Sequence, residues 1–325
     1  MKPFRPIRWK LSGLHLGLAL ICAASFTSTA MAQSQEAASR QIVLDEFTRA
    51  RPVAAAPKPQ AVRTGPRRKP ATAIRIKARL YARKTPALLA ALKPGFETME
   101  IGVTIWRLTP AAGNDGGARV LVMENAQTSQ WTPQRIEADT PLQVGERVRI
   151  SIESPRTGYL YVIDREQYAD GSLGDAYLIF PTRRTRGGDN QVRPGRLIDI
   201  PAQEDNPSYF TLVPSPSRSD QIAEVLNIIV TPQPLNDLRI TDKPLKLSTS
   251  NVAQWERMWS SEVERFEMVD GAGKVWTRVE QEASLTAAPR LLTQEEPAPQ
   301  TVFRVASRSK NAFLVTVPLR YGRQR

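Results

Sequence analysis

The sequence of 325 residues predicts a mainly β protein, an antiparallel β-sandwich of about eight or more strands. Three observations predict this class. Apolar and polar residues alternate along several short segments between residues 97 and 235. Gly and Pro turns separate these segments at intervals of about 8–12 residues, with no long helix between them. Nearer the C-terminus the pattern changes, which adds one or two helices and a terminal hairpin to the sandwich.

The first 32 residues have the three parts of an export signal. Residues 1–10 are basic with no acid, residues 11–26 are mostly apolar, and Ala30-Met31-Ala32 fits the cleavage rule. We predict cleavage after Ala32 and a periplasmic or secreted protein, with no transmembrane span in the mature chain. Two alternatives stay open: an uncleaved anchor, and a lipoprotein attached at Cys22, although Ile21 stands where a small residue is typical.

The chain contains one His and one Cys, and both belong to this signal: they are His15 and Cys22. After cleavage, the mature protein therefore has no imidazole and no thiol. This excludes Ser-His-Asp triads, cysteine nucleophiles, thiolate or imidazole zinc sites, and disulfides.

Residues 33–96 are predicted to form a disordered, Ala- and Pro-rich linker. Its basic tract, residues 49–93, contains thirteen Lys and Arg residues and no acid, whereas the chain as a whole has a net charge of +13. Because like charges repel and Pro lacks an N–H donor, most of this tract should be extended and solvated. Residues 74–81 alternate as one short strand would, and residues 85–93 have the pattern of a capped two-turn helix.

Two interpretations of the basic tract stay open. In the first it binds an anionic lipid or polysaccharide surface outside the cytoplasm, where each basic side chain contributes at most about 1 kcal/mol. In the second it is a solvated spacer that keeps the folded domain away from the membrane. Nucleic acid is not an expected partner. Binding of a single strand uses several aromatic residues on which bases stack, and the tract contains only one, Tyr81.

Residues 97–325 are predicted to form one domain, which begins with a series of strands. The clearest is Arg147–Glu153, in which Val148, Ile150 and Ile152 alternate with polar residues. Because each well-defined strand has one polar face, we expect one sheet face to stay exposed to water. The other predicted strands are Ile101–Ile105, Arg119–Glu124, Gly158–Asp164, Ala176–Phe180, Arg196–Ile200, Tyr209–Val213 and Glu224–Val230.

The C-terminal third contains a predicted helical insert, residues 251–284. Its first helix, Asn251–Met268, is indicated by apolar residues at spacings of three and four, namely Val252, Trp255, Trp259, Val263 and Phe266. A second helix is predicted over Val275–Ala283. Within residues 301–318, Val302–Ala306 and Phe313–Val317 predict a terminal hairpin that joins the sandwich.

Several motifs occur in a fixed order in the middle of the chain. They are Gly145-Glu146-Arg147-Val148-Arg149-Ile150, Gly158-Tyr159-Leu160-Tyr161-Val162-Ile163-Asp164, Asp170-Gly171, Leu178-Ile179-Phe180-Pro181 and Asp199-Ile200-Pro201. Together, over roughly residues 140–235, they resemble the bacterial domain-of-unknown-function family 4384. The resemblance implies an exported or envelope β-domain, sometimes an accessory beside peptidase or kinase domains. It brings no activity and no catalytic residues.

Two groups of residues are candidate binding elements. Arg183, Arg184 and Arg186, beside two glycines, form a basic loop that suits an anion, although a solvated hairpin tip has the same composition. Tyr159 and Tyr161 share one face of a strand, where they form either a stacking platform for a sugar or part of the packed sandwich.

Four carboxylates, Asp164, Glu166, Asp170 and Asp175, crowd one predicted hairpin. Two carboxylates suffice for glycoside hydrolysis without His. A calcium cage is the other chemistry open to them, but their spacing is not that of an EF-hand. We therefore predict no metal, no cofactor and no assigned catalytic residue.

These observations favour a non-catalytic, exported envelope protein whose β-sandwich binds a protein or polysaccharide partner. The export signal, the missing catalytic side chains and the segregated charge all point to recognition. The alternative is a carboxylate-dependent hydrolase that acts on cell-wall or capsule sugars. The two differ in one geometric requirement: the hydrolase needs two of the four carboxylates to face each other across an open cleft.

Overall fold

The computed structural model describes residues 43, 45–54, 79–82, 97–113, 116–124, 127–236, 238–307 and 312–322. The predicted export signal and most of the predicted linker, including the helix expected at residues 85–93, lie outside these ranges. The described part consists of two antiparallel sheets with few helices. This confirms the predicted mainly β class and is consistent with a sandwich.

The strands follow one another in short segments along the chain. They are β1 (Arg79–Ala82), β2 (Glu97–Pro110), β3 (Val120–Glu124), β4 (Gln127–Ile136), β5 (Arg147–Glu153), β6 (Gly158–Tyr168), β7 (Tyr177–Phe180), β8 (Gln191–Val192), β9 (Leu197–Ile200), β10 (Phe210–Thr211), β11 (Gln221–Thr231), β12 (Leu245–Lys246), β13 (Val263–Val269), β14 (Thr301–Ser307) and β15 (Phe313–Arg320). The helices are α1 (Thr249–Trp259), α2 (Arg278–Ala283) and a short 3-10 turn over Arg186–Gly188, and residues 45–49 are also helical.

Two sheets divide these strands between them. The first has the order β1-β13-β14-β2-β4-β3, and β5 pairs with β2, β9 and β10. The second has the order β12-β7-β6-β11-β15, and β8 adds to β6. In the first sheet, β2 is long enough, at fourteen residues, to pair with β14, β4 and β5 along different parts of its length.

The main core lies between the two sheets, on the faces that we call inner. From the first sheet, Ile150 and Ile152 of β5 are buried there, as the alternation predicts. From the second, Leu160 and Val162 of β6 and Ile228 of β11 meet them. Full burial of an aliphatic side chain of this size contributes about 1.5–3 kcal/mol, so this layer is the principal source of stability.

The outer face of the second sheet is covered, so the expectation that it stays wet was wrong. The alternate residues Tyr161, Ile163 and Ile229 are buried there beneath Val252 of α1. The strands of this sheet are therefore apolar on both faces, as strands sandwiched between two layers are.

The helix α1 begins two residues before the predicted Asn251 and ends nine residues before the predicted Met268. Ser248 is its N-cap, since its side chain accepts a hydrogen bond from the backbone N–H of Asn251. The chain leaves the helix at Ser260, and the predicted second half is instead the strand β13, which pairs with β1 and β14. Among the described residues, no helix has both the length and the apolar character that crossing a bilayer requires.

The predicted terminal hairpin was also wrong, although both of its strands exist. β14 pairs with β13 and β2 in the first sheet, whereas β15 pairs with β11 in the second. β14 and β15 therefore belong to different sheets, although they follow each other along the chain. This arrangement places Phe303 and Phe313 on opposite sides of the same core.

Residues 45–54 belong to the folded domain rather than to an extended linker. Val43 and Phe47 are buried against Phe266 and Val302 on the outer face of the first sheet. The approach is so close that a Cβ on Gly102 of β2 would lie 2.8 Å from the Phe47 ring. The prediction of a linker from residue 33 to 96 therefore fails for this part, and β1 adds a strand where a short one was expected.

A buried polar network ties β5 to β9 on the outer face of the first sheet. Arg149 of β5 forms an ion pair of 2.8 Å with Asp199 of β9, and both side chains are 1 % exposed. The Ser151 hydroxyl donates to the same carboxylate at 2.5 Å and accepts a hydrogen bond of 2.7 Å from the Trp106 indole. Because each carboxylate oxygen has a donor, this network is a structural element of the sheet.

Candidate functional site

A cleft of about 340 Å³ opens at one end of the sandwich, where β6 and β11 extend past the apolar core. Along β6, the inner-face positions of Leu160 and Val162 continue, by strict alternation, to Asp164 and Glu166. We call this the acidic cleft. Its lining residues are Asp164, Arg165, Glu166, Tyr168, Asp175, Tyr177, Ser215, Ser217 and Glu224.

The pairing of β6 with β11 brings two acids directly opposite each other. Glu166 and Glu224 are Cα partners in the antiparallel register, and Asp164 is opposite Leu226. Cross-strand neighbours on one face have Cβ atoms about 4.5–5.5 Å apart, and like charges at this distance repel. The strand register therefore concentrates negative charge at this end of the sheet.

Neutral groups hold two of the carboxylates in place. The Tyr168 hydroxyl donates to Glu166. The Glu224 carboxylate accepts hydrogen bonds of 2.7 Å from the Gln221 amide and 3.1 Å from the Tyr321 hydroxyl. Burial raises the pKa of Glu224, and burial together with the Glu224 charge raises the pKa of Tyr321, which keeps this phenol protonated.

Gly174 closes the cleft beside Glu166. A Cβ at position 174 would lie 2.9 Å from Glu166 Oε2 and 3.3 Å from the Tyr168 hydroxyl. Any side chain here would have to displace the two groups that define this wall. The glycine is thus explained by the close approach of the loop to the acids.

Asp164 is the most perturbed acid of the cleft. Burial raises the pKa of its carboxyl to about 8, and the nearby charges of Glu224 and Glu166 act in the same direction. Its Oδ1 atom is buried and has no hydrogen-bond partner among the described residues. At neutral pH the Asp164 carboxyl is therefore mainly protonated.

The cations nearest the cleft are engaged elsewhere. Arg218 lies over the ring of Tyr168, 3.7 Å from its centroid, and pairs with Asp220 at 2.5 Å and with Asp170 at 3.3 Å. Arg165, which follows Asp164, donates to the Gly174 carbonyl at 3.2 Å and pairs with Glu256 of α1 at 3.3 Å. Lys246 forms an exposed ion pair of 2.6 Å with Asp175 at the rim. The inner part of the cleft is consequently acidic without a neutralising partner among the described residues.

Three of the four predicted carboxylates meet at this cleft. Asp164, Glu166 and Asp175 line it, whereas Asp170 does not. Asp170 occupies the exposed turn, where hydrogen bonds from Ser172, followed by one from Arg218, lower its pKa to about 2. Across the described residues, no group of three or more Asp, Glu, His or Cys side chains is arranged to hold a metal ion.

Glu224, the cross-strand partner of Glu166, is not among the site residues that the sequence predicts. The only local signal was its place in the alternation of β11, where it precedes the inner residues Leu226 and Ile228. A charged residue at an inner-face position marks the point at which a core ends or a site begins.

The basic loop is only partly available at the surface. Arg183 and Arg184 are exposed, but the side chain of Arg186 is 1 % exposed and pairs with Asp189 at 3.3 Å. Arg186 also has a φ of 57°, a left-handed backbone conformation that turns the chain after Thr185. The hypothesis that all three form one exposed anion site is therefore reduced to Arg183 and Arg184.

The two tyrosines pack against α1 rather than forming an open platform. Tyr161 is 3 % exposed, and its hydroxyl accepts a hydrogen bond of 2.8 Å from the backbone N–H of Leu235. Tyr159 is half-buried in the same outer cluster. Trp255 and Trp259 of α1 stack on each other with ring centroids 6.2 Å apart and pack on this cluster too.

No family model, no curated protein and no solved structure matches this chain. The resemblance to domain-of-unknown-function family 4384 therefore stays a prediction. What the chain does has to be argued from its own geometry, and the acidic cleft is the feature of the described residues that combines a cavity, perturbed acids and an unpaired buried oxygen.

Proposed function

We propose that this protein is an exported, non-catalytic envelope protein that binds a partner in the acidic cleft. One observation carries the proposal: Asp164, Glu166 and Glu224 converge in a cleft and receive no ion pair from the described residues. Partly buried acids without a cation are costly to stability, so their presence in an open cleft favours a role in binding.

The basic tract is proposed to act beside the cleft. A run of positive charge favours retention at an anionic lipid or polysaccharide surface, while the cleft recognises the partner. Arg51 is excluded from this role, since it is buried in the domain. The part of the tract proposed to contact the surface is therefore the stretch after residue 54.

Two variants test the proposal in envelope extracts. Replacing Glu166 and Glu224 together with glutamine is expected to abolish capture of the partner, because it removes the charge of the cleft at nearly constant volume. Replacing the basic residues of positions 58–77 with glutamine should leave capture intact but release the protein from envelope fractions. Both are compared with the wild type and with Asp170→Asn, which changes an acid outside the cleft. Equal capture and equal fractionation by all four proteins would contradict the proposal.

A carboxylate-dependent hydrolase is the second candidate, and one observation favours it. Burial raises the pKa of Asp164 to about 8, so this carboxyl is mainly protonated at neutral pH, and it shares the cleft with other carboxyl groups. A raised acid beside a second carboxyl group is the arrangement that such enzymes use. If the cleft is catalytic, the wild-type protein should release reducing ends from cell-wall or capsule glycans. Asp164→Asn should lower that rate by about 100-fold or more. No release by the purified wild-type protein would rule out this candidate.

A further inference from the structure

The groups around Asp164 are acids, neutral hydrogen-bonding groups and two arginines that are paired with other acids. Arg165 pairs with Glu256, and Arg218, which stacks on Tyr168, pairs with Asp220. Glu166 lies on the same strand, Glu224 on β11, and Tyr321 follows β15. Ser215 and Ser217 come from the loop before β11. Among the described residues, no Lys or Arg side chain pairs with Asp164, Glu166 or Glu224, and the pKa of Asp164 is lowered by no cation.

The ligand group that would complement these acids is thus a positively charged group with several N–H donors. The inner cleft offers carboxylate and hydroxyl oxygens, which accept hydrogen bonds, and an ammonium group donates three and accepts none. A volume of about 340 Å³ is at the lower end of ligand pockets, which span roughly 300–1,000 Å³. This size suits one flexible side chain or a short amine rather than several sugar rings.

A bare divalent cation fits less well. Calcium takes about 6–8 oxygen ligands, and the described acids do not form a cluster that meets this requirement. An organic ammonium needs only three acceptors, and it tolerates their spread over two strands and a loop.

We propose that the acidic cleft binds a primary ammonium group on a flexible alkyl chain, either a lysine side chain of a partner protein or a free polyamine. This rests on the proposed function and specifies the ligand of the same site. The ammonium lies against Asp164, Glu166 and Glu224, and its alkyl chain lies along Tyr168 and Tyr177 towards the opening.

The pKa of Asp164 determines how ammonium binding should change with pH. Asp164 is protonated below about pH 8 and charged above it, whereas an alkyl ammonium stays charged up to about pH 10. The ammonium must therefore displace a proton from Asp164 at neutral pH. Affinity should rise as the pH increases from about 6.5 to about 8.5.

The test is calorimetric titration of the wild-type protein with cadaverine, a diamine with the chain length of lysine, and with N-acetyl-lysine amide. We expect binding about tenfold or more tighter at pH 8.5 than at pH 6.5. Asp164→Asn should abolish this gain, and Glu224→Gln should weaken binding about tenfold at both values of pH. Asp170→Asn, an acid on the same hairpin, is the matched control and should bind as the wild type does.

The outcomes separate the ligand class from the proposed function. Binding of cadaverine but not of the lysine amide would identify a free polyamine, and the reverse would identify a protein side chain. No binding of either amine, or equal binding of neutral 1,5-pentanediol, overturns the ammonium proposal. In that case the capture experiment decides about the proposed function. If replacing Glu166 and Glu224 with glutamine still abolishes capture of the envelope partner, the proposed function stands and the cleft binds a different ligand. Tight binding of Ca²⁺ that excludes cadaverine would likewise overturn the ammonium proposal.

Discussion

Replacing Arg51 with alanine is expected to lower the free energy of unfolding by about 3–5 kcal/mol. The guanidinium makes two hydrogen bonds of 2.7 Å to the Glu153 carboxylate, and both side chains are 1 % exposed. It also donates to the carbonyls of Thr293, Glu296 and Pro297. Removing the guanidinium leaves the Glu153 carboxylate and three carbonyls without their donor. This loss lowers stability far more than the loss of an exposed ion pair would.

Chemical denaturation of Arg49→Ala provides the matched control. Arg49 lies two residues earlier in the same basic run but is exposed, so its replacement should change the free energy of unfolding by at most about 0.5 kcal/mol. Replacing Arg51 and Glu153 together with methionine should recover much of the loss, because no buried charge is then left alone. Equal stability of the two single variants would show that residues 45–54 are not part of the cooperative domain.

Arg51 illustrates what a sequence cannot reveal about a charged residue. It stands in a run of basic residues among prolines, which is the pattern of a solvated linker. Its partner, Glu153, is 102 positions away at the end of a strand whose alternation was read correctly. Local pattern predicts whether a segment is charged, and only the folded arrangement decides whether a distant carboxylate meets that charge.

Strand existence was more predictable than strand pairing. The alternation in Arg147–Glu153 has the two-residue period of a strand, and it predicts β5 although both faces of that strand are buried. The segments now seen as β14 and β15 were also found, but a short connection between two strands fits a hairpin and a crossing between sheets equally well. The predicted helix is longer than α1 because Val263 and Phe266 continue the helical spacing by coincidence, although they belong to β13.

The sequence predicts part of the candidate site, because alternation along one strand is a local property and strand register is not. Asp164 and Glu166 are neighbours on one strand, so their common face follows from alternation alone. Glu224 joins them only through the register of β11 against β6, and no local signal fixes that register. The perturbed pKa of Asp164 depends on this pairing and on burial, and both are properties of the fold.

Replacing Asp164 with asparagine is expected to stabilise the protein above about pH 8, by several kcal/mol. The wild-type carboxyl has a pKa of about 8 in the folded state and about 3.9 in the unfolded chain. A raised pKa contributes stability that is fully present below about pH 4 and is lost as the pH rises to about 8. Every tenfold difference in acidity between the folded and unfolded states corresponds to about 1.4 kcal/mol, so this is the largest effect of a single substitution that we expect in the cleft.

Urea denaturation at about pH 4.5, 6, 7.5 and 9 measures this difference. The two proteins should be nearly equally stable at the lowest pH, and the advantage of Asp164→Asn should grow with each step, because asparagine never has to ionise in the buried cleft. Asp170→Asn should show no such growth, since Asp170, with a pKa of about 2, is charged throughout this range in both states. A constant difference between Asp164→Asn and the wild type would mean that Asp164 is already ionised in the folded protein. The acidic cleft would then hold its full charge at neutral pH, and an ammonium ligand would bind there without releasing a proton.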